Sequence, residues 1–375
     1  MYEYPDSLTP VMMNHVGRHG ARYATSSAKI KGVASILTRA KESGTITATG
    51  QRLLDLANKV IMLSDGKWGA LDSLGMAEQR GIAARMFAGY PMLFTGQNIT
   101  AISSYVPRCV MSMYSFCHEI SRLSEKTSII TSSGVQNSPL MRPFDTDRDF
   151  RKYQKKRPYM DVLNEFKRAD MPLEVARNAV GKGFSLTDDE AMQLTGDIYY
   201  LVSSCSAMGL TVDPTQYFSL EDYNRMWQAD NLRQYLVRTA NTISTVPSDI
   251  ASALVMNLIT TTQNFIDGTD PTPVHLRFGH AETILPLTSL LRLKGCYYLT
   301  NYFDTVAMHW QSFNIIPMAA NVQMILFKSD TGRYYLRTDL NECPVPLIPG
   351  SDAIYVPWSQ ARDYMLRCVP VYGQQ

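Results

Sequence analysis

Two arginines flank a histidine in Arg18-His19-Gly20-Ala21-Arg22, and far along the chain a second histidine precedes a carboxylate in His280-Ala281-Glu282. Arginine presents a planar, permanently charged fork that suits phosphoryl oxygens, and a neutral imidazole can attack phosphorus to give a phosphohistidine. The glycine in the first group gives the backbone freedom to turn sharply. In the second group His280 can donate to a phosphoryl oxygen, and Glu282 carries a protonatable carboxyl. Departure of an alkoxide from phosphorus needs a proton, so a carboxylic acid with a raised pKa is the group this chemistry calls for. A basic surface turn would also read Arg-His-Gly-Ala-Arg, so the surrounding elements must decide.

Pro10 to Val16 reads as a strand running into Gly17-Arg18-His19-Gly20, which puts the histidine where a strand gives way to a loop. That is where α/β proteins hold their sites. His15 shares the strand parity of Met13 and reads as a satisfied structural histidine. Lys29 and Lys31 follow; they are either solvated or able to reach a second phosphate on the same substrate. From Leu74 to Tyr90, Met76, Ala83, Met86, Phe87 and Tyr90 share one face of a packing helix. Ile99 to Ile102 forms a short strand, and Pro107 opens a helix with the stripe Val110, Met113, Cys117, Ile120 and Leu123. Arg108 therefore sits in a first helical turn, where a cation opposes the helix dipole and a bound anion is favoured by both. Val274 to Phe278 repeats the strand-to-loop pattern ahead of His280-Ala281-Glu282 and an apolar helix from Ile284 to Leu293. His275 and Arg277 fall outside the site. Val322 to Phe327 and Tyr334 to Thr338 flank Lys328-Ser329-Asp330-Thr331-Gly332, a hairpin signal that places strands near the sheet edge.

At 375 residues the chain is long enough for one large domain with an insertion, or for two. Apolar residues make up 45% and charged residues 19%, an ordinary globular balance. Net charge is only +2, so a preference for anions must come from local clusters, and bulk nucleic-acid binding is not suggested. No run of about 18 apolar residues marks a membrane span. The start, Met1-Tyr2-Glu3-Tyr4-Pro5, lacks the basic and apolar regions of a signal peptide. The cysteines Cys109, Cys117, Cys205, Cys296, Cys343 and Cys368 show no metal-ligand spacing, and their even number permits disulfides without requiring them. Nothing in the sequence reads out the oligomeric state.

Between about 133 and 241 the texture turns helix-favouring and charge-rich with few β-branched runs, setting this stretch apart from 1–132 and 242–375. Within it Arg148, Arg151, Lys152, Lys155, Lys156 and Arg157 crowd together. Such a run is a solvated helix face, or an electrostatic funnel for a polyanion if it lies over an anionic site.

Arg18-His19-Gly20-Ala21-Arg22, then Arg108 at a strand-to-helix junction, then His280-Ala281-Glu282 resembles the histidine acid phosphatases, the second branch of the histidine phosphatase superfamily. The order and spacing match across nearly the whole chain. The His-Ala-Glu form is similar to that of the multiple inositol polyphosphate phosphatases, as are Lys29, Leu74-Gly75-Met76-Ala77-Glu78, Arg142-Pro143-Phe144-Asp145, Ala319-Ala320-Asn321 and Leu340-Asn341-Glu342. The resemblance implies an α/β fold, a mostly parallel sheet flanked by helices with a helical cap inserted. It implies His19 as nucleophile, Arg18, Arg22, Arg108 and His280 holding the phosphoryl group, Lys29 as a further phosphate contact, and Glu282 protonating the leaving alcohol. No metal or cofactor is implied, and the expected partner is a small-molecule phosphate ester, an inositol polyphosphate. A broad-specificity phosphatase acting on sugar or nucleotide monophosphates would carry the same motifs. The expected setting is periplasmic or secreted. Ala24 stands where the longer motif has proline, so the loop after Arg22 is expected to be less rigid.

Overall fold

The near-continuous apolar run ahead of Arg18 forms β1 (Leu8–Arg18), buried on both faces over most of its length in the computed structural model. The structure describes residues 3–370, and among these eight strands make one sheet in the order β3-β2-β4-β1-β5-β6-β7, with β8 paired to β6. β2 (Asn98–Ser103), β3 (Ser128–Ser133) and β4 (Val274–Gly279) run parallel with β1, while β5 (Asn321–Ser329), β6 (Tyr334–Leu340), β7 (Cys343–Val345) and β8 (Val356–Pro357) pair antiparallel. Register places Arg18 beside Gly279, so the carboxyl ends of β1 and β4 finish together. The hairpin expected after residue 321 forms, but β5 lies inside the sheet between β1 and β6, because its apolar residues are buried on both faces.

Contacts divide the chain into two compact units. The first takes residues up to 20, 75–159 and 234 onward, and holds the sheet. On one face Met13, Leu276 and Phe278 pack against Ile82, Ala83 and Met86 of α3 (Ser73–Gly89) and Met113, Phe116 and Ile120 of α4 (Pro107–Leu123). On the other face Asn14 and Arg277 meet the helix Ser252–Ile266. Arg277 is 2% exposed, and its guanidinium donates to Asn257 Oδ1 and Asn14 Oδ1 at 2.7–2.9 Å; burial lowers its pKa to about 9.

The second unit is Ala21–Leu74 with Met160–Arg233, and it is helical. Ser26 and Thr47 accept from the first-turn amides of α1 (Ser27–Glu42) and α2 (Ala48–Ser64), and Thr187 with Glu190 forms a capping box on the helix Asp188–Ser204. Ile30, Val33, Leu37, Leu53, Ala57, Ile198 and Leu201 fill its core. A Cβ on Gly50 would lie 2.0 Å from Ala179 O, so α2 approaches the helix Glu174–Val180 where a side chain would collide. This unit differs from the 133–241 segment read from texture. It draws in α1 and α2, whose apolar faces are completed by residues 175–202, while 133–159 and 234–241 pack with the sheet. The basic run forms the helix Arg148–Lys156, with Phe150 and Tyr153 buried, the cations exposed and Lys152 paired to Asp149 at 2.7 Å.

Candidate active site

β1 ends at Arg18, and His19 follows with its amide donating to Gly279 O at 3.1 Å, so the two strand ends are tied at the histidine. Arg18 is fixed by its own amide on Ala320 O, by Gln79 Nε2 on its carbonyl at 2.9 Å, and by its guanidinium donating to Ile316 O. His19 is 3% exposed, and its Nδ1 lies 2.9 Å from Gly20 O. A carbonyl only accepts, so Nδ1 carries a proton, and in the neutral form of the ring the lone pair is on Nε2. The turn after His19 requires glycine for a reason other than backbone freedom. A Cβ on Gly20 would stand 2.4 Å from Gly75 O and 2.6 Å from Gly75 Cα, at the start of α3. Gly20 N donates to Ser112 Oγ, which donates in turn to Arg108 O, linking the histidine turn to the first turn of α4.

At the end of β4, His280 caps the helix Ala281–Leu290; its amide donates to Thr283 Oγ1, whose hydroxyl donates to Met141 O at 2.8 Å. The His280 ring lies 5.8 Å from that of His19, edge to face. Arg108 Nη2 approaches His280 Nδ1 at 3.3 Å, while Arg142 Nη1 and Ser104 Oγ approach Nε2 at 3.0 Å. Burial, against the pull of Glu282 and with the push of Arg108, Arg142 and Arg18, lowers the His280 pKa to about 3, so the ring is neutral. A neutral imidazole offers one lone pair, yet two guanidinium donors converge on it. An anion accepting from one of those guanidiniums removes the conflict, which is what a phosphoryl group would do here. Cys109 packs beneath, its Sγ 3.1 Å from Gly279 O, with burial pushing the thiol up to about 12.

Glu282 departs from the raised pKa that its role calls for. Burial pushes its carboxyl up, but Arg238, His280, a backbone amide and Arg18 outweigh burial and hold it at about 2. Arg238 Nη2 donates to Glu282 Oε1 at 2.7 Å. Arg18, His19, Arg108, His280 and Glu282 are thus gathered in the first unit. Arg22 and Lys29 belong to the second. Arg22 bridges to Leu71 and donates to Tyr23 O at 3.1 Å; Lys29 stands 3.6 Å from Asp197 and over the Tyr200 ring. Ala24 is fully buried in the helical core and its carbonyl accepts from Gly69 N, so the segment after Arg22 is tied down without proline. His15 is structural but not hydrogen-bonded: it is 1% exposed between Phe116 and Phe278, with neither ring nitrogen hydrogen-bonded among the described residues.

The residue types alone did not reveal Arg142 and Arg238 as site cations. Arg142 lies in a segment singled out only by resemblance, and its Nε is anchored to Asp145 Oδ2 at 2.6 Å. Arg238 had no signal, being one cation among many in a helical stretch. Among the described residues no group of three or more His, Cys, Asp or Glu side chains could hold a metal ion.

The profile of the histidine phosphatase superfamily (branch 2) matches residues 11–341. The chain belongs to that superfamily. Membership makes it a phosphoric monoester hydrolase, and both strand-end motifs fall within the matched span. The human multiple inositol polyphosphate phosphatase 1 is 25% identical over 93% of this chain and 77% of its own length; the Gallus gallus protein of the same name is 24% identical over 91% and 78%. Among solved structures, the Bifidobacterium longum multiple inositol polyphosphate phosphatase in complex with inositol hexasulfate superposes with a TM-score of 0.80 at 15% identity, covering 100% of this chain and 95% of that one. The phytase from D. castellii gives 0.75 at 15% identity, over 100% and 82%. At those identities the structures speak for the fold. Among the described residues no helix is long and apolar enough to cross a membrane.

Proposed function

We propose that this chain hydrolyses inositol polyphosphates, phytate among them, through a phosphohistidine on His19 with Glu282 as proton donor. The observation that supports the chemistry is the His19 Nδ1 to Gly20 O hydrogen bond, which puts the lone pair on Nε2, in a ring 5.8 Å from the His280 ring that Arg108 and Arg142 approach. In the first step Nε2 attacks phosphorus, the P–N bond forms as the ester P–O bond breaks, and the departing oxygen takes the Glu282 proton. In the second, water gives a proton to the Glu282 carboxylate and attacks phosphorus; the P–N bond breaks and its electron pair returns to Nε2. Arg18, Arg108, Arg142 and neutral His280 stabilise the charge on the equatorial oxygens throughout. Arg22 is assigned to the same phosphoryl group by its place in the motif, and Lys29 to a further phosphate.

The substrate class is supported by the names of the relatives. The exposed cations of the helix Arg148–Lys156 add local positive charge in keeping with a polyanion. Phosphate release from phytate, with product isomers resolved, tests the reading against glucose 1-phosphate as a monophosphate control. A higher kcat/KM for glucose 1-phosphate than for phytate overturns the substrate class, and turnover by His19→Ala above about one part in a thousand overturns the nucleophile.

A further inference from the structure

The chemistry asks for a proton on Glu282, and the fold builds against it. Glu282 lies in the first turn of the helix Ala281–Leu290, where the helix dipole favours an anion, and Arg238 is the last residue of the helix Leu220–Arg238, where it favours a cation. Their side chains meet at 2.7 Å, Arg238 being 16% and Glu282 34% exposed. The pair walls a cavity of about 240 Å³ whose other lining is Phe144, Phe150, Gln154, Val237, Ile250 and Pro286, so among the described residues no other charged side chain borders it. Besides Arg238, the groups acting on the carboxyl are His280 at the start of its own helix and Arg18 at the end of β1.

We propose that Arg238 is a positioning residue that sets when Glu282 carries its proton, a role that rests on Glu282 being the acid of the proposed reaction. With Arg18 and Arg238 both turned on it, the carboxyl is held ionised well below the usual carboxylate range. A phosphate ester brings opposite charge to Arg18 and its neighbours, and the negative charge next to Glu282 raises its affinity for a proton. That proton comes from solvent or from the ester's own monoanion. It passes to the leaving oxygen as the P–O bond breaks, and the carboxylate returns to its pairing with Arg238, ready to accept a proton from water. Arg238 itself touches no reacting atom. Its part is to hold the carboxylate left by the first transfer ionised, and to favour loss to solvent of the proton that Glu282 then takes from water.

The test follows kcat against pH for glycerol 2-phosphate, whose leaving alkoxide needs a proton, and for p-nitrophenyl phosphate, whose leaving group does not. Arg238→Gln is expected to move the alkaline limb with glycerol 2-phosphate upward by a pH unit or more, about a tenfold gain on that limb. With p-nitrophenyl phosphate the limb stays in place, and Arg238→Lys leaves both profiles as in wild type. An unmoved limb, or an equal shift on both esters, overturns the proposal. Should Arg238→Gln fail to fold, a carboxyl-edited NMR titration of the wild-type protein decides, using Glu282→Gln to assign the signal. Titration of Glu282 below the ordinary carboxylate range supports the role of Arg238, and titration at or above it overturns that role. If Glu282→Gln instead loses the same rate on both esters, the acid assignment itself fails, which is distinct from failure of the Arg238 role.

Discussion

The carboxyl ends of β1 and β4 lie side by side in register, yet their chemical groups are set by different means. At the end of β1, the tautomer of His19 is fixed by a main-chain carbonyl one residue away, and the turn is fixed by backbone contact between Gly20 and Gly75. At the end of β4, burial lowers the His280 pKa with Arg108, Arg142 and Arg18 adding to it, and the Glu282 carboxyl is held ionised against burial by neighbouring groups, Arg238 first among them. Main-chain control survives side-chain substitution around it, whereas side-chain control is open to tuning by single changes. The His19 end is therefore rigid in character, and the His280–Glu282 end adjustable.

The largest effect should come from the rigid end. His19→Ala is expected to cut phosphate release from phytate by more than about 10³-fold, with a cooperative melting curve checking that the variant is folded. At the adjustable end, Glu282→Gln should cost on the order of 10²-fold with phytate and much less with p-nitrophenyl phosphate, as a general acid does. Equal losses would erase the distinction between the two ends. Gly20→Ala asks whether backbone contact truly holds the nucleophile. Its methyl cannot fit 2.4 Å from Gly75 O, so the turn must shift, with a loss of up to about 10²-fold in kcat for a displacement near 1 Å. Wild-type kinetics in this variant would show that the turn has slack.

The smallest effect tests β1 four residues back. Burial, with Arg277 adding to it, lowers the His15 pKa from 6.5 to about 3. Between those values the unfolded chain binds a proton that the folded one refuses, so this histidine makes stability fall as pH drops below 6.5. His15→Met removes that term. The stability lost by wild type between pH 6.5 and pH 5 should shrink by about 2 kcal/mol in the variant, measured by urea unfolding at each pH. An unchanged pH dependence would mean that His15 is protonated in the folded state.

Much of this arrangement could be read from the chain. The apolar run before Arg18 and the strand-glycine-histidine pattern at 274–280 each placed a candidate residue at a strand end, and Pro107 placed Arg108 in the first turn of α4, because local propensity and burial agree there. β3 was missed: Ser-Ile-Ile-Thr-Ser-Ser is a short, largely exposed edge strand with no alternation to betray it. The division into contact units differs from the 133–241 segment because α1 and α2 look like any amphipathic helices until their partners at 174–204 are known. Arg238 was invisible for a similar reason. It lies 44 residues before Glu282, and only tertiary packing makes it the group that governs that carboxyl.

The hydrogen bond between His19 Nδ1 and Gly20 O also bears on how the intermediate can be caught. In the proposed reaction it would direct phosphorylation to the tele nitrogen and away from the pros one, so a trapped enzyme would yield the tele isomer of the modified amino acid on digestion. A phosphoramidate is labile in acid and persists in alkali. Quenching with acid would therefore destroy the species sought, and rapid mixing into base, followed by mass spectrometry of the peptide bearing His19, is the route that would preserve it.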